Sequence, residues 1–243
     1  EVIARVGAAG NADMDRAVAA AREAFDNGPW PTTPPAERGA MLMKLADALE
    51  RRVPEIAAAW CAQIGGLEKN SAGMQMGSVM GLRGIAALGE SFPWTDTRKG
   101  QNVDTAVIVR EPVGVVAAIA PWNAPFGIMM NKVAYSLIAG CTVIMKPSPE
   151  TPLEAYIIAE AAEEAGLPPG VINLVPADRD ASDHLIHSTK IDKVSFTGSS
   201  AAGMHIASVC GGNMTRATFE LGGKSAAIVR DDFPIEAAAQ ILG

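Results

Sequence analysis

Asn123, Lys146, Glu220 and a glycine-bracketed segment from Gly198 to Gly203 are the places where this 243-residue sequence could do chemistry. Lys146 closes the apolar run Thr142–Lys146, where a cation can reach ribose or phosphate oxygens of a bound dinucleotide; a solvated strand-end lysine is the other reading. Gly198 and Gly203 bracket Ser199-Ser200-Ala201-Ala202 directly after a strand pattern and at a helix start. Free backbone N–H groups and the positive end of the helix dipole can hold a pyrophosphate there. A strand-to-helix turn also needs glycine for its own sake, and the usual GxGxxG fingerprint is absent. Asn123, between Pro121-Trp122 and Ala124-Pro125, reads by itself as a helix cap or turn residue. Glu220 reads by itself as surface charge, although Leu221-Gly222-Gly223 surrounds it with an open, mobile backbone.

Two other sets could carry chemistry. Cys61, Cys141 and Cys210 are odd in number and widely spaced with no CxxC, so neither a disulfide framework nor a zinc site is indicated, and each reads as a small buried hydrophobe. His184 and His187 have i, i+3 spacing that can present two imidazoles together, but no third ligand is evident and the pair reads as an exposed helix face.

The elements that must position these residues follow from periodicity. Met14, Ala17, Val18, Ala21 and Phe25 recur at 3/4 spacing after Asn11-Ala12-Asp13, which predicts a packing helix, and Thr33 before Pro34-Pro35 predicts an N-cap. Between Asn102 and Arg110, Val103, Thr105, Val107 and Val109 alternate, as in an exposed β-ribbon. From Val113 onward, Val113–Ala120, Thr142–Lys146, Val171–Val175, Lys193–Thr197 and Ala226–Val229 read as strands, with helical patterns such as Pro152–Ala165 between the first four. That alternation calls for a parallel sheet with helices on both faces, and such sheets bind ligands beyond the carboxyl ends of their strands.

A chain this long can bury roughly 70–75% of its unfolded surface without disulfides or metals, as one large domain or two small ones. It is 49% hydrophobic with no run of about 20 apolar residues. A formal net charge of −7 and the lack of a Lys/Arg stripe argue against nucleic-acid and membrane partners and favour a small-molecule substrate. The cysteine usage fits a reducing, cytoplasmic setting. The opening Glu1-Val2-Ile3 and a close at Gly243 inside a helical pattern beginning at Ile235 suggest a portion of something longer.

Taken in order, Arg110-Glu111-Pro112-Val113-Gly114, Pro121-Trp122-Asn123, Lys146-Pro147-Ser148, Phe196-Thr197-Gly198-Ser199 and Glu220-Leu221-Gly222-Gly223-Lys224 resemble the aldehyde dehydrogenase superfamily, from about Val2 to the last residue. The resemblance implies an α/β fold: a Rossmann-like parallel sheet flanked by helices, with N-terminal helices and part of a β-ribbon oligomerisation element. The divisions expected are residues 1–100 for the N-terminal helical part, 101–112 for the ribbon and 113–243 for the NAD(P)-binding part, with the catalytic domain missing.

For the complete enzyme the resemblance implies oxidation of a small-molecule aldehyde to a carboxylic acid through a cysteine thiohemiacetal and thioester. Asn123 would donate to the thiohemiacetal oxygen. Glu220 would activate the water that attacks the thioester, a task suited to a partly buried carboxylate. Lys132 either stands behind Glu220 or is an ordinary helix lysine. The thiol would follow Glu220, outside this chain, so the chain alone is expected to be inactive. Ile119, Pro121, Trp122, Lys146, Ser148, Phe196, Thr197, Gly198, Ser199, Gly203, Leu221 and Gly222 would hold the cofactor, NAD with NADP as the alternative, and the complete enzyme would be a homo-oligomer. Two departures bear on the adenosine end: Pro149 then Glu150 stand where the family often has glutamate directly after Lys-Pro-Ser, and Ala177 stands where glycine is common. A CoA-acylating or semialdehyde dehydrogenase of the same fold, or a nucleotide-binding module without chemistry, are the competing readings. Phe126, Met129 and Met130 read as core packing or an apolar mouth.

Overall fold

The computed structural model describes residues 2–242. The 3/4-spaced stripe forms α1 (Asn11–Asp26), which buries Met14, Ala17, Val18, Ala21 and Ala24. Phe25 ends that stripe half-buried beneath the Arg22 guanidinium, 5.0 Å from its ring centre. Thr33 does not cap the second helix as expected. Its hydroxyl turns back to donate to the Pro29 carbonyl at 2.9 Å, closing a short 3₁₀ turn at Trp30–Thr32, and Pro34 precedes α2 (Pro35–Arg51). Proline at the first helical position has no N–H to cap and a preset φ, so the hydroxyl is free for the earlier turn.

α3 (Val53–Ile64), α4 (Glu68–Ala86) and the single turn α5 (Leu88–Ser91) complete the N-terminal helices. A two-stranded antiparallel ribbon follows, β1 (Thr95–Arg98) with β2 (Ala106–Val109), in register Thr95↔Val109. The alternation around 102–110 therefore marks the returning strand only. The outgoing strand, Thr95-Asp96-Thr97-Arg98, lies before residue 101 and carries no apolar stripe because its residues are largely exposed.

β3 (Val115–Ile119), β4 (Thr142–Lys146), β5 (Ile172–Leu174), β6 (Lys193–Thr197) and β7 (Arg216–Glu220) form one parallel sheet in the order β5-β4-β3-β6-β7. Crossovers α6 (Pro125–Ile138), α7 (Leu153–Glu164), α8 (Arg179–His187) and α9 (Ser200–Asn213) cover its two faces. Ala118, Ala120, Val143 and Met145 pack with α2, α4, α6 and α7 on one face, whereas Val115, Ala117, Ile119, Ile144, Val194 and Phe196 pack with α1, α8 and α9 on the other. The start of β3 is locked by Gly114 at φ +127°, where a Cβ would strike the Asp192 carboxylate that accepts from the Val115 amide at 2.8 Å.

Four of the five expected strands are present; Ala226–Val229 is not one of them. That β-branched run is irregular, and Ile228 is 91% exposed. The fifth strand is β7 instead, recruited by β6 through Val194↔Ala217 and Phe196↔Phe219. Strand pairing, not β-propensity alone, decided between the two. α10 (Ile235–Leu242) forms where a helix was expected, and Gly243, its expected last residue, lies outside the described residues.

Candidate active site

The connections run from β3 to β4 and β5 on one side and then to β6 and β7 on the other, so a crevice opens beyond the carboxyl ends of β3 and β6. A cleft of about 550 Å³ occupies it. Ile119 is paired with Lys146 on one side and Phe196 on the other. Strand alternation sends all three side chains to the same face, where they line the cleft between α8 and α9. Lys146 is only 8% exposed, and its ammonium makes no hydrogen bond or ion pair among the described residues. Burial lowers its pKa, while Glu150 and Asp178 pull it back up.

α9 starts at the cleft. The Ser199 hydroxyl accepts from the Ala202 amide at 3.2 Å as an N-cap. The amides of Ser200 and Ala201 have no carbonyl ahead of them to bond, so this end presents free donors and the positive pole of a 14-residue helix. Five expected cofactor residues, Ile119, Lys146, Ser148, Phe196 and Ser199, line the cleft. The others do not. Thr197 alternates to the opposite face of the sheet, and Pro121 and Trp122 lie in the segment leading to α6. At Gly198 a Cβ would come within 2.5 Å of the Phe196 ring, so this glycine makes room for the cleft floor. Gly203 lies against Leu221, where a Cβ would meet the leucine methyl at 2.5 Å, which places Leu221 and Gly222 along the side of α9.

The opposite face holds the second group of residues. Ser195 and Thr197 alternate with the cleft-side Val194 and Phe196, and the register Thr197↔Glu220 gives Glu220 the same face. There Lys132 of α6 donates to Ser195 Oγ at 3.2 Å. Burial pushes the Lys132 ammonium down to about 8, partly countered by the charge of Glu220 and helped by Lys193. Lys132 thus does stand near Glu220. Glu220 itself is exposed at the end of an edge strand rather than partly buried.

Asn123 is exposed in the bend between β3 and α6, and its carbonyl accepts from the Trp60 indole at 3.3 Å. β3 and β7 are two strand spacings apart, roughly 10 Å, so Asn123 and Glu220 leave the same rim of the sheet on its α6 side. Beside Asn123, Ala124 opens a groove of about 480 Å³ between α4 and α6, lined by Trp60, Gln75, Gly77, Gly81 and Tyr135 among others. Phe126 and Met129 are core residues, and Met130 is buried at the groove floor.

The aldehyde dehydrogenase family model matches residues 1–242. The chain belongs to the aldehyde dehydrogenase family. It is 44% identical to the geranial dehydrogenase of Castellaniella defragrans over all of this chain and 51% of that protein. The crystal structure of the Mycobacterium tuberculosis aldehyde dehydrogenase complexed with NAD+ superposes with a TM-score of 0.92 at 42% identity, covering 96% of this chain and 48% of that one. The betaine aldehyde dehydrogenase of Staphylococcus aureus in complex with NAD+ gives 0.94 at 33% identity, covering 99% and 48%. The chain spans about half the length of the relatives it matches.

The Asp178 cap and the partners of His205 and His184 in this aldehyde dehydrogenase chain were not anticipated from its sequence. Asp178 caps α8 through the Ala181 amide at 3.2 Å, and its position just ahead of the helix was the readable signal. His205 on α9 meets Asp183 on α8 at 2.5 Å beside the cleft, a pairing with no local signature. His184 pairs with Asp15 at 2.8 Å, and both it and His187 are exposed. No cluster of three His, Cys, Asp or Glu able to hold a metal occurs among the described residues. Cys141 and Cys210 are buried and Cys61 is half-buried; burial raises the pKa of the first two thiols.

Proposed function

We propose that this chain is the dinucleotide-binding part of an enzyme that oxidises an aldehyde to a carboxylic acid, with NAD as cofactor. The alignment of Ile119, Lys146 and Phe196 on one face of the sheet and Glu220 on the other, with Asn123 at the same rim, carries the reading. The donors of the cleft suit a dinucleotide: a nearly buried, unpartnered ammonium for ribose or phosphate oxygens, and a capped helix N-terminus with free amides for a pyrophosphate. When bound, NAD supplies the hydride acceptor.

At the rim, the Asn123 amide donates to the oxygen of the aldehyde carbon as it becomes tetrahedral under attack by a thiolate. A fixed donor of this kind stabilises charge that exists only in the transition state. Glu220 then takes a proton from the water that attacks the thioester. Lys132, held by Ser195, lies close enough to feel the charge of that carboxylate. None of Cys61, Cys141 and Cys210 lines the cleft or the groove, so the thiol comes from outside this chain. The groove between α4 and α6 leads the aldehyde's tail away from Asn123. The exposed valines of the ribbon, Val107 and Val109, support pairing of subunits in a homo-oligomer.

In the complete enzyme, Asn123→Ala is expected to lower kcat by roughly 10²–10³ with NAD affinity unchanged. Glu220→Gln should retain the first burst of reduced cofactor and stall afterwards, because hydride transfer precedes the step that needs the base. Full steady-state turnover by either variant would sink the assignment.

A further inference from the structure

We infer that Gln75 gives the groove between α4 and α6 a preference for aldehydes whose apolar tail carries one neutral hydrogen-bonding oxygen. The inference rests on reading that groove as the path of the aldehyde's tail. Gln75 is 2% exposed, and its Nε2 has no hydrogen-bond partner among the described residues. Buried polar groups are nearly always paired, so a side-chain amide left in this state calls for a reason. Arg22, Trp30, Thr151 and Glu154 also bury an atom without a partner, but Gln75 alone of these stands in the groove wall.

The rest of the wall decides what that amide can meet. Two of the groove's other polar groups are already committed: the Trp60 indole donates to the Asn123 carbonyl at 3.3 Å, and the Ser78 hydroxyl to the Met74 carbonyl at 3.3 Å. Asn131 and Tyr135 are exposed, whereas Leu82, Ile85 and Met130 are buried and apolar. No Asp, Glu, Lys, Arg or His lines this space of about 480 Å³, so a charged tail would shed its hydration without gaining a counter-ion. A neutral oxygen gives up far less, and an amide N–H restores it. The glutamine amide turns about a broad χ3, which lets its N–H swing toward an acceptor placed along the tail. Room for that tail comes from Gly77 and Gly81, where an added Cβ would meet no atom within 4 Å. The Trp60 bond ties this wall to the rim at Asn123, so a carbonyl held there sets its tail beside the groove.

Steady-state kinetics of the full-length enzyme tests this with nonanal and with analogues in which an ether oxygen replaces one methylene at a time, beyond the carbon next to the aldehyde. An ether oxygen is close to a methylene in size and adds an acceptor. For at least one position the parent's kcat/KM should exceed that for nonanal by roughly three- to tenfold, the worth of one well-placed hydrogen bond. Gln75→Met keeps the length of the side chain and removes the amide, and it should bring that ratio to about one or below. The swap conserves volume and deletes a partnerless buried group, so the variant should melt no lower than the parent; Gln75→Leu repeats the comparison with a branched side chain. A Gln75 that served only packing would change kcat/KM for every aldehyde by the same factor. A ratio left unchanged by both variants, or a parent that handles every ether analogue less well than nonanal, overturns the inference and leaves the proposed function standing. Failure of the parent to oxidise any of these aldehydes overturns both.

Discussion

Lys132 offers a quantitative check on how the α6 side of the sheet is assembled. Its ammonium titrates near 8 in the folded chain against 10.5 ordinarily, chiefly because it is buried. The difference, 10.5 less about 8, is about 2.5 pH units, which at about 1.4 kcal/mol per unit sets a ceiling near 3.4 kcal/mol. The side chain is only partly buried, so solvent screening leaves about 1–2 kcal/mol. Between the two values the unfolded chain holds a proton that the folded chain has released. Stability therefore climbs with pH across that window, and the penalty is fully present below it. Lys132→Met keeps the length of the side chain and removes the charge. Urea unfolding should find the variant more stable than the parent at neutral pH by about 1–2 kcal/mol, with the advantage fading as pH rises through the window. A difference between the two proteins that stays constant with pH would refute the burial argument and the placement of Lys132 against Ser195.

Two other outcomes follow from the packing. Glu154 is wholly buried, accepts from Gln63 Nε2 at 2.7 Å through one oxygen and leaves the other without a partner; burial raises its pKa. Its contribution to stability is thus greatest below the ordinary carboxylate range and is lost as pH rises through the folded value, so Glu154→Gln should flatten the pH dependence and gain about 1 kcal/mol at pH 8, measured by denaturant titration. Gly81 faces the α4–α6 groove, and a Cβ added there would meet no atom within 4 Å; in the complete enzyme Gly81→Leu should lower kcat/KM for long apolar aldehydes about tenfold or more and spare short ones, and an equal loss for both would show that the groove does not guide the substrate's tail.

The elements most legible in the sequence were those with a strong internal pattern. The stripe of α1 and the apolar runs of β3, β4 and β6 dictate their own structure, since each buries a continuous face. β1 and β7 escaped because neither is buried enough to need an apolar code, and each is specified by the strand it pairs with. The site follows the same division. Lys146 and Ser199 were legible as a strand end and a helix start, whereas the nearness of Lys132 to Glu220 came from resemblance, and the Asp183–His205 contact depends on two helices meeting. At Gly203 the lack of a side chain also admits Leu221, a contact that spacing cannot reveal.

Glu220 terminates a border strand whose outer backbone groups have no neighbour among the described residues. Whatever polypeptide lies along that border therefore sets the position and hydration of this carboxylate. The crevice proposed to hold the nucleotide is one strand further in, on the reverse side of the sheet. On the function proposed above, disturbing the border slows hydrolysis of the acylated intermediate and leaves nucleotide affinity alone, so that the two halves of the cycle can be tuned independently of one another.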